Sequence, residues 1–178
     1  MMEVEAKIRV SALEPLRARL RERKARHLGV QVERDVYYNA PQRDFAATDE
    51  ALRVRYSSGP PVLTYKGPKL PGEGPKAREE ICVAVVEGDL LELVLERLGF
   101  RRTAQVVKER DLYQLEGATI ALDTVESLGT FIEIEAAPGL SREEAVRRIQ
   151  GIAEELGVRG ESLSLSYLEM ICTTRSGA

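Results

Sequence analysis

Glu3, Glu5, Lys7 and Arg9 occupy every second position of the opening MMEVEAKIRV, with Val4, Ala6, Ile8 and Val10 between them. A period of two places the charges on one face of a strand and the apolar residues on the other. The pattern returns along the chain: Arg53 and Arg55 in ALRVRY, Thr64 and Lys66 in LTYKG, Arg78 and Glu80 in AREEI, Lys108 and Arg110 in VVKERD, Glu133 and Glu135 in FIEIE. Asp123 stands alone in the apolar run IALDTV. A half-solvated antiparallel sheet would also alternate. Solvated faces, however, usually mix Thr, Ser and Gln with Lys and Glu, whereas here paired basic residues occupy some strands and paired Glu others. Grouped carboxylates answer to a hard divalent cation such as Mg²⁺ or Mn²⁺. Grouped Arg and Lys answer to phosphates, with Arg giving two-pronged contacts. Both sets in one interior describe a site for a metal–polyphosphate complex.

The elements that must hold these residues are strands expected at 2–10, 30–39, 51–57, 61–67, 78–87, 101–115, 117–125 and 129–137, from β-branched content and alternation. Closing them into one barrel would send every charged face to a common interior and turn the apolar faces outward beneath helices. Three helices are expected from Ser/Asp–Glu pairs spaced as capping boxes: Ser11 with Glu14, Asp89 with Glu92, and Ser141 with Glu144. Gly29 would end the first near Leu28, and Gly99 would end the second. Leu165, Leu168 and Ile171 suit a short terminal helix with frayed residues after it. ERDVYYN at 33–39 and ERDLYQL at 109–115 each follow a strand–helix unit, which suggests two halves related by a pseudo-twofold. The glycine-rich GPKLPGEGPK at 67–76 reads as a mobile connection.

Composition removes other chemistries. With 43% apolar and 31% charged residues, and no apolar run of membrane-spanning length, the 178 residues describe a soluble domain. Nothing at the N-terminus resembles a signal peptide, so a cytoplasmic location is expected. A net charge of −3 gives no reason to seek nucleic acid. Lone His27, placed at the charged end of the first expected helix, leaves little room for a Ser-His-Asp or Cys-His arrangement. Cys82 and Cys172 lie far apart and outside any C-x-x-C pattern, as inert thiols do.

The E-x-E-x-K formed by Glu3, Glu5 and Lys7 resembles the signature of the CYTH superfamily, the triphosphate tunnel metalloenzymes, which includes class IV adenylate cyclases and thiamine triphosphatases. The likeness continues through DVYYN at 35–39, ALRVR at 51–55, LTYKGP at 63–68, REE at 78–80, VKER at 107–110 and LDTVESLGTFIEIE at 122–135. Overall length and the SY-L near the C-terminus look most like the CyaB-type cyclase branch. The resemblance implies an α+β fold, a closed antiparallel eight-stranded β-barrel with flanking helices, in one domain over 1–178. It also implies a metal-dependent enzyme using Mg²⁺ or Mn²⁺, most similar to a class IV adenylate cyclase that converts ATP to cyclic AMP and pyrophosphate. The alternatives are a triphosphatase acting on inorganic triphosphate, thiamine triphosphate or a nucleoside triphosphate, and a non-catalytic polyphosphate-binding module. By the same resemblance Glu3 and Glu5 would hold metal from one side of the tunnel and Asp123, Glu133 and Glu135 from the other, with Glu3, Glu5, Glu133 and Glu135 carrying the catalysis. Lys7, Arg53, Arg55, Lys66, Lys108 and Arg110 would bind the triphosphate, and Arg78 would line the tunnel with Glu80. A homodimer is implied by likeness to cyclase-branch members. One departure favours hydrolysis: similar cyclases often carry His-Phe a few residues before E-x-E-x-K, where this chain has Met1 and Met2.

Overall fold

In the computed structural model, which describes residues 2–71 and 75–176, the alternating segments close on themselves. The strands are β1 (Met2–Arg9), β2 (Arg26–Asn39), β3 (Ala51–Tyr56), β4 (Val62–Lys66), β5 (Lys76–Ala84), β6 (Arg101–Leu115), β7 (Ala118–Val125) and β8 (Gly129–Glu135). They run antiparallel around a closed barrel in the order β1-β5-β4-β3-β2-β6-β7-β8. Exchanging β1 with β5, β2 with β6, β3 with β7 and β4 with β8 returns the same circular order, so the connectivity has the twofold suggested by the internal echo. The echoing segments lie in adjacent strands, with Val32 opposite Glu109.

The apolar strand faces point outward and form the core there. Val4, Ala6 and Ile8 of β1, Ile120 and Leu122 of β7, and Ile132 and Ile134 of β8 pack under α1 (Glu14–Glu22) and α3 (Arg142–Glu155), which contribute Leu16, Leu20, Ile149 and Ile152. Each fully buried Ile or Leu stabilises the fold by about 2 kcal/mol. Val36, Tyr38, Leu52 and Val54 pack with Leu95 of α2 (Gly88–Arg97) and with Phe45 from the β2–β3 connection. At the apolar end of the interior, Tyr37, Val106, Val125 and Phe131 meet Tyr167 and Met170 of α4 (Tyr167–Ser176).

Three local expectations are corrected. The first helix ends at Glu22 rather than Leu28. Lys24 adopts φ 56° while its N–H bonds Arg21 O and the Ala25 N–H bonds Leu20 O, a paired closure that reverses the chain into β2. Gly29, at φ 121°, instead serves a register shift between β2 and β6, and His27 belongs to β2. Of the three expected capping boxes only Ser141–Glu144 forms; Leu13 and Glu87 begin the other helices without side-chain caps. Glu92 is turned inward to accept hydrogen bonds from Tyr38, Tyr56 and Arg102. A reciprocal box unforeseen in the sequence joins Ser166 and Glu169 at the start of α4. Residues 72–74 of the glycine-rich connection, Met1, and the terminal 177–178 lie outside the described residues. Among the described residues no helix is long and apolar enough to cross a membrane.

Candidate active site

Inside the barrel is a cavity of about 310 Å³ walled by the charged strand faces. Glu3, Glu5, Lys7, Arg53, Arg55, Lys66, Arg78, Lys108, Arg110, Glu133 and Glu135 all line it, with Glu80. The carboxylates of β1 and β8, expected on opposite sides, stand on neighbouring strands: Glu5 is opposite Glu135 in register and Lys7 opposite Glu133. Asp123 is absent from the cavity wall and has 0% exposure. Its Oδ1 accepts from Arg110 Nε at 2.7 Å, and its Oδ2 accepts from the other prong at 2.6 Å and from Tyr167 Oη at 2.8 Å.

The cations are held in place by a second set of acids on β2. Arg55 grips Asp35 with two bonds of 2.7 Å, while Lys108 lies 2.9 Å from Glu33 and 3.2 Å from Asp35. Arg53 Nη1 is 3.7 Å from Asp35. Burial opposes charge on Asp35, yet Arg53, Arg55 and Lys108 hold its carboxyl far below the usual range. On β1, Lys7 is 2.7 Å from Glu133, and its ammonium sits 4.2 Å from the centre of the Tyr167 ring. Glu33, Asp35, Lys76 and Tyr167 were missed in the sequence. The first two were legible, since Glu33, Asp35 and Tyr37 alternate in ERDVYYN with the parity of the other inward faces.

Not all charge is compensated. Glu135 retains contact with solvent within the tunnel, but burial and then the charges of Glu3, Glu5 and Glu80 push its carboxyl up to about 7. Lys66 lies between Glu3 at 2.8 Å and Glu80 at 2.9 Å. On β5 beside β1, Lys76 stands opposite Glu5 in register and is pushed down to about 8, by burial first and then by Lys7, with Arg78 adding to the effect and Glu5 opposing it. Lys108 is lowered by burial and by Arg110 and Arg55. The buried Arg53 Nε–H has no acceptor among the described residues, and Arg78, 7% exposed, makes no ion pair among them. The all-oxygen set Glu3, Glu5, Glu80 and Glu135 fits a hard divalent cation in donor chemistry and in the mutual repulsion that such an ion would relieve. Among the described residues no three acids are already gathered into a chelating group, so the fit lies in the donor set and not in a preformed cage.

A closed antiparallel barrel that carries its apolar core outside and ionised groups of both signs inside is a triphosphate tunnel fold. The chain belongs to the CYTH domain family, whose model matches residues 1–167. It is 31% identical, over 96% of its own length and 98% of the relative's, to a Methanocaldococcus jannaschii protein whose name assigns it provisionally to the adenylate cyclases. A solved Pyrococcus horikoshii protein is 40% identical and superposes with a TM-score of 0.86, covering 97% of this chain and 99% of that one. The fold is shared, at 21% identity and a TM-score of 0.73 over 98% and 96% of the two chains, with a Hippeastrum protein described as an adenylyl cyclase candidate with a dominant triphosphatase activity.

Proposed function

We propose that this protein is a divalent-metal-dependent enzyme that binds an extended triphosphate in the barrel and acts on it, with adenylate cyclase-like conversion of ATP to cyclic AMP and pyrophosphate as the leading reaction. Triphosphate tunnel enzymes of this family generally depend on a divalent metal and act on triphosphate substrates. The observation that carries the reading is that one cavity holds both an acidic and a basic cluster: burial, and then Glu3, Glu5 and Glu80, push Glu135 up to about 7, while burial, and then Lys7 with Arg78, push Lys76 down to about 8. A metal–triphosphate complex relieves both repulsions at once. No single ion of either sign would do so.

Glu3, Glu5 and Glu135 would hold the ion, with Glu80 and Glu133 beside them, and the metal, Mg²⁺ or Mn²⁺, would supply charge neutralisation and acidification of the attacking hydroxyl. Lys7, Arg53, Arg55, Lys66, Lys108 and Arg110 would bind and straighten the phosphate chain, so that attack and departure lie in line. Glu33 and Asp35 orient Arg55 and Lys108 through ion pairs. Asp123 is assigned to Arg110, whose two prongs it fixes, and not to the metal. In cyclisation the 3′-hydroxyl of ATP attacks the α-phosphorus and pyrophosphate leaves; in hydrolysis water attacks the terminal phosphorus. The second reading has a specific support, since the same fold carries a dominant triphosphatase activity in the Hippeastrum protein.

The purified protein is to be incubated with ATP, thiamine triphosphate or inorganic triphosphate plus Mg²⁺ or Mn²⁺, and the products separated by chromatography. Cyclic AMP with pyrophosphate establishes the cyclase, and orthophosphate release establishes a triphosphatase. Tight binding without turnover of any of the three refutes both and leaves a binding module.

A further inference from the structure

Tyr167, the first residue of α4, turns into the barrel and lines the tunnel with only 5% of its surface exposed. The chain that brings it there passes along the edge of β1, where the Leu163 N–H donates to the Lys7 carbonyl at 2.7 Å. The reciprocal bonds of Ser166 and Glu169 then start α4. Phe131 meets the tyrosine ring edge-on, with the two ring centres 5.0 Å apart. Backbone, cap and packing together fix where Tyr167 sits.

From this place one side chain serves three cations of the triphosphate set, Lys7, Lys108 and Arg110. Its ring centre is 4.2 Å from Lys7 Nζ and 5.5 Å from Lys108 Nζ. Its hydroxyl donates to Asp123 Oδ2 at 2.8 Å, and Asp123 in turn accepts both prongs of Arg110 at 2.7 and 2.6 Å. An aromatic ring attracts an ammonium through its quadrupole while carrying no net charge. Lys7 already pairs with Glu133, and Lys108 with Glu33 and Asp35. A further acid in the place of Tyr167 would hold the lysines but would also repel an incoming phosphate. The neutral ring orients them and leaves their charge to the ligand. Packing on Phe131 needs the ring alone, whereas the hydroxyl is directed at the carboxylate that fixes Arg110.

We infer that Tyr167 is a positioning residue for triphosphate binding: its ring aims Lys7 and Lys108, and its hydroxyl aims Arg110 through Asp123. The inference rests on the triphosphate reading above and adds to it a neutral residue of the C-terminal segment that acts through the cations of the barrel wall.

The test is tripolyphosphate affinity with Mn²⁺, measured by titration calorimetry on the full chain well below the Tm of each variant. Tyr167→Phe keeps the ring, removes the hydroxyl and should weaken binding about fivefold. Tyr167→Leu removes both and should weaken it about fiftyfold. In an Asp123→Asn background the further loss from Tyr167→Phe should shrink to about twofold or less, because the route to Arg110 is already broken. Variants that lower the Tm yet bind tripolyphosphate as tightly as wild type make Tyr167 a packing residue and overturn the inference. A Tyr167→Leu loss no greater than that of Tyr167→Phe overturns it as well, as does a Tyr167→Phe loss that survives undiminished in the Asp123→Asn background. Should Tyr167→Leu fail to fold, the conservative Tyr167→Phe and its cycle with Asp123→Asn decide alone. A wild-type chain that binds no tripolyphosphate overturns the triphosphate reading itself, whereas wild-type binding with unaffected variants overturns only the role of Tyr167.

Discussion

Replacing Asp123 with Asn tests whether this carboxylate serves a metal or an arginine. The side chain is fully buried, and both of its oxygens are engaged by Arg110 and Tyr167. Asn offers one acceptor oxygen and turns an NH₂ group toward donors, so one prong of Arg110 loses its partner. Breaking a buried pair by removing one charge costs about 3–5 kcal/mol. Arg110 keeps Glu133, which lowers the expected loss to about 2–3 kcal/mol. For a chain of this length that is a fall in Tm of about 5–10 °C by calorimetry without metal. Mn²⁺ affinity, measured by titration calorimetry, should stay within about twofold of wild type, whereas Glu5→Gln should weaken it at least tenfold. Tripolyphosphate affinity should also fall in Asp123→Asn, because Arg110 is no longer aimed. A Mn²⁺ affinity lost to the same degree as in Glu5→Gln, with Tm unchanged, would falsify the assignment of Asp123 to Arg110.

Three further outcomes are expected. Glu135 has its carboxyl raised from the ordinary 4.5 to about 7, so between those values the folded state binds more protons than the unfolded one, and metal-free stability should rise as pH falls from 8 to 5.5. Solvent contact at Glu135 limits the effect to about 1 kcal/mol, and a denaturation series at fixed ionic strength that shows no such rise refutes the crowding of Glu3, Glu5, Glu80 and Glu135. Glu92→Ala strips the acceptor from Tyr38, Tyr56 and Arg102 beneath α2 and should cost about 2 kcal/mol in urea unfolding while leaving triphosphate binding intact; loss of binding would tie α2 to the site. Gly88→Ala should also destabilise, because its Cβ would lie 2.6 Å from the Tyr56 ring and the ring or the helix must move; an unchanged urea midpoint would show that this contact yields freely.

Much of the barrel was legible because a strand has a period of two. Charges at alternate positions in five segments could share one interior only if the sheet closed, and the apolar residues between them then had to lie outside under helices. That helices begin near Ser11, Asp89 and Ser141 was legible, but their ends were not. Ser11 and Asp89 match the capping pattern as well as Ser141 does, yet the chain enters α1 and α2 through Leu13 and Glu87. Glu92 illustrates why: a carboxylate three residues from Asp89 is a capping partner in isolation, and a buried acceptor once two tyrosines and an arginine surround it.

The sequence by itself determined which residues face inward and which chemical types they are, because side-chain parity is a local property of extended backbone. Tertiary structure decided which acid meets which cation. That Glu5 lies beside Glu135, that Asp123 is spent on Arg110, that Glu33 and Asp35 hold Arg55 and Lys108, and that Tyr167 packs against Lys7 all follow from strand order, register and the return of α4. Coulomb energies depend on those separations and on burial, neither of which a linear pattern contains. The burial and neighbouring charges that raise Glu135 and lower Lys76, and that leave Arg78 without an ion pair among the described residues, exist only in the closed barrel.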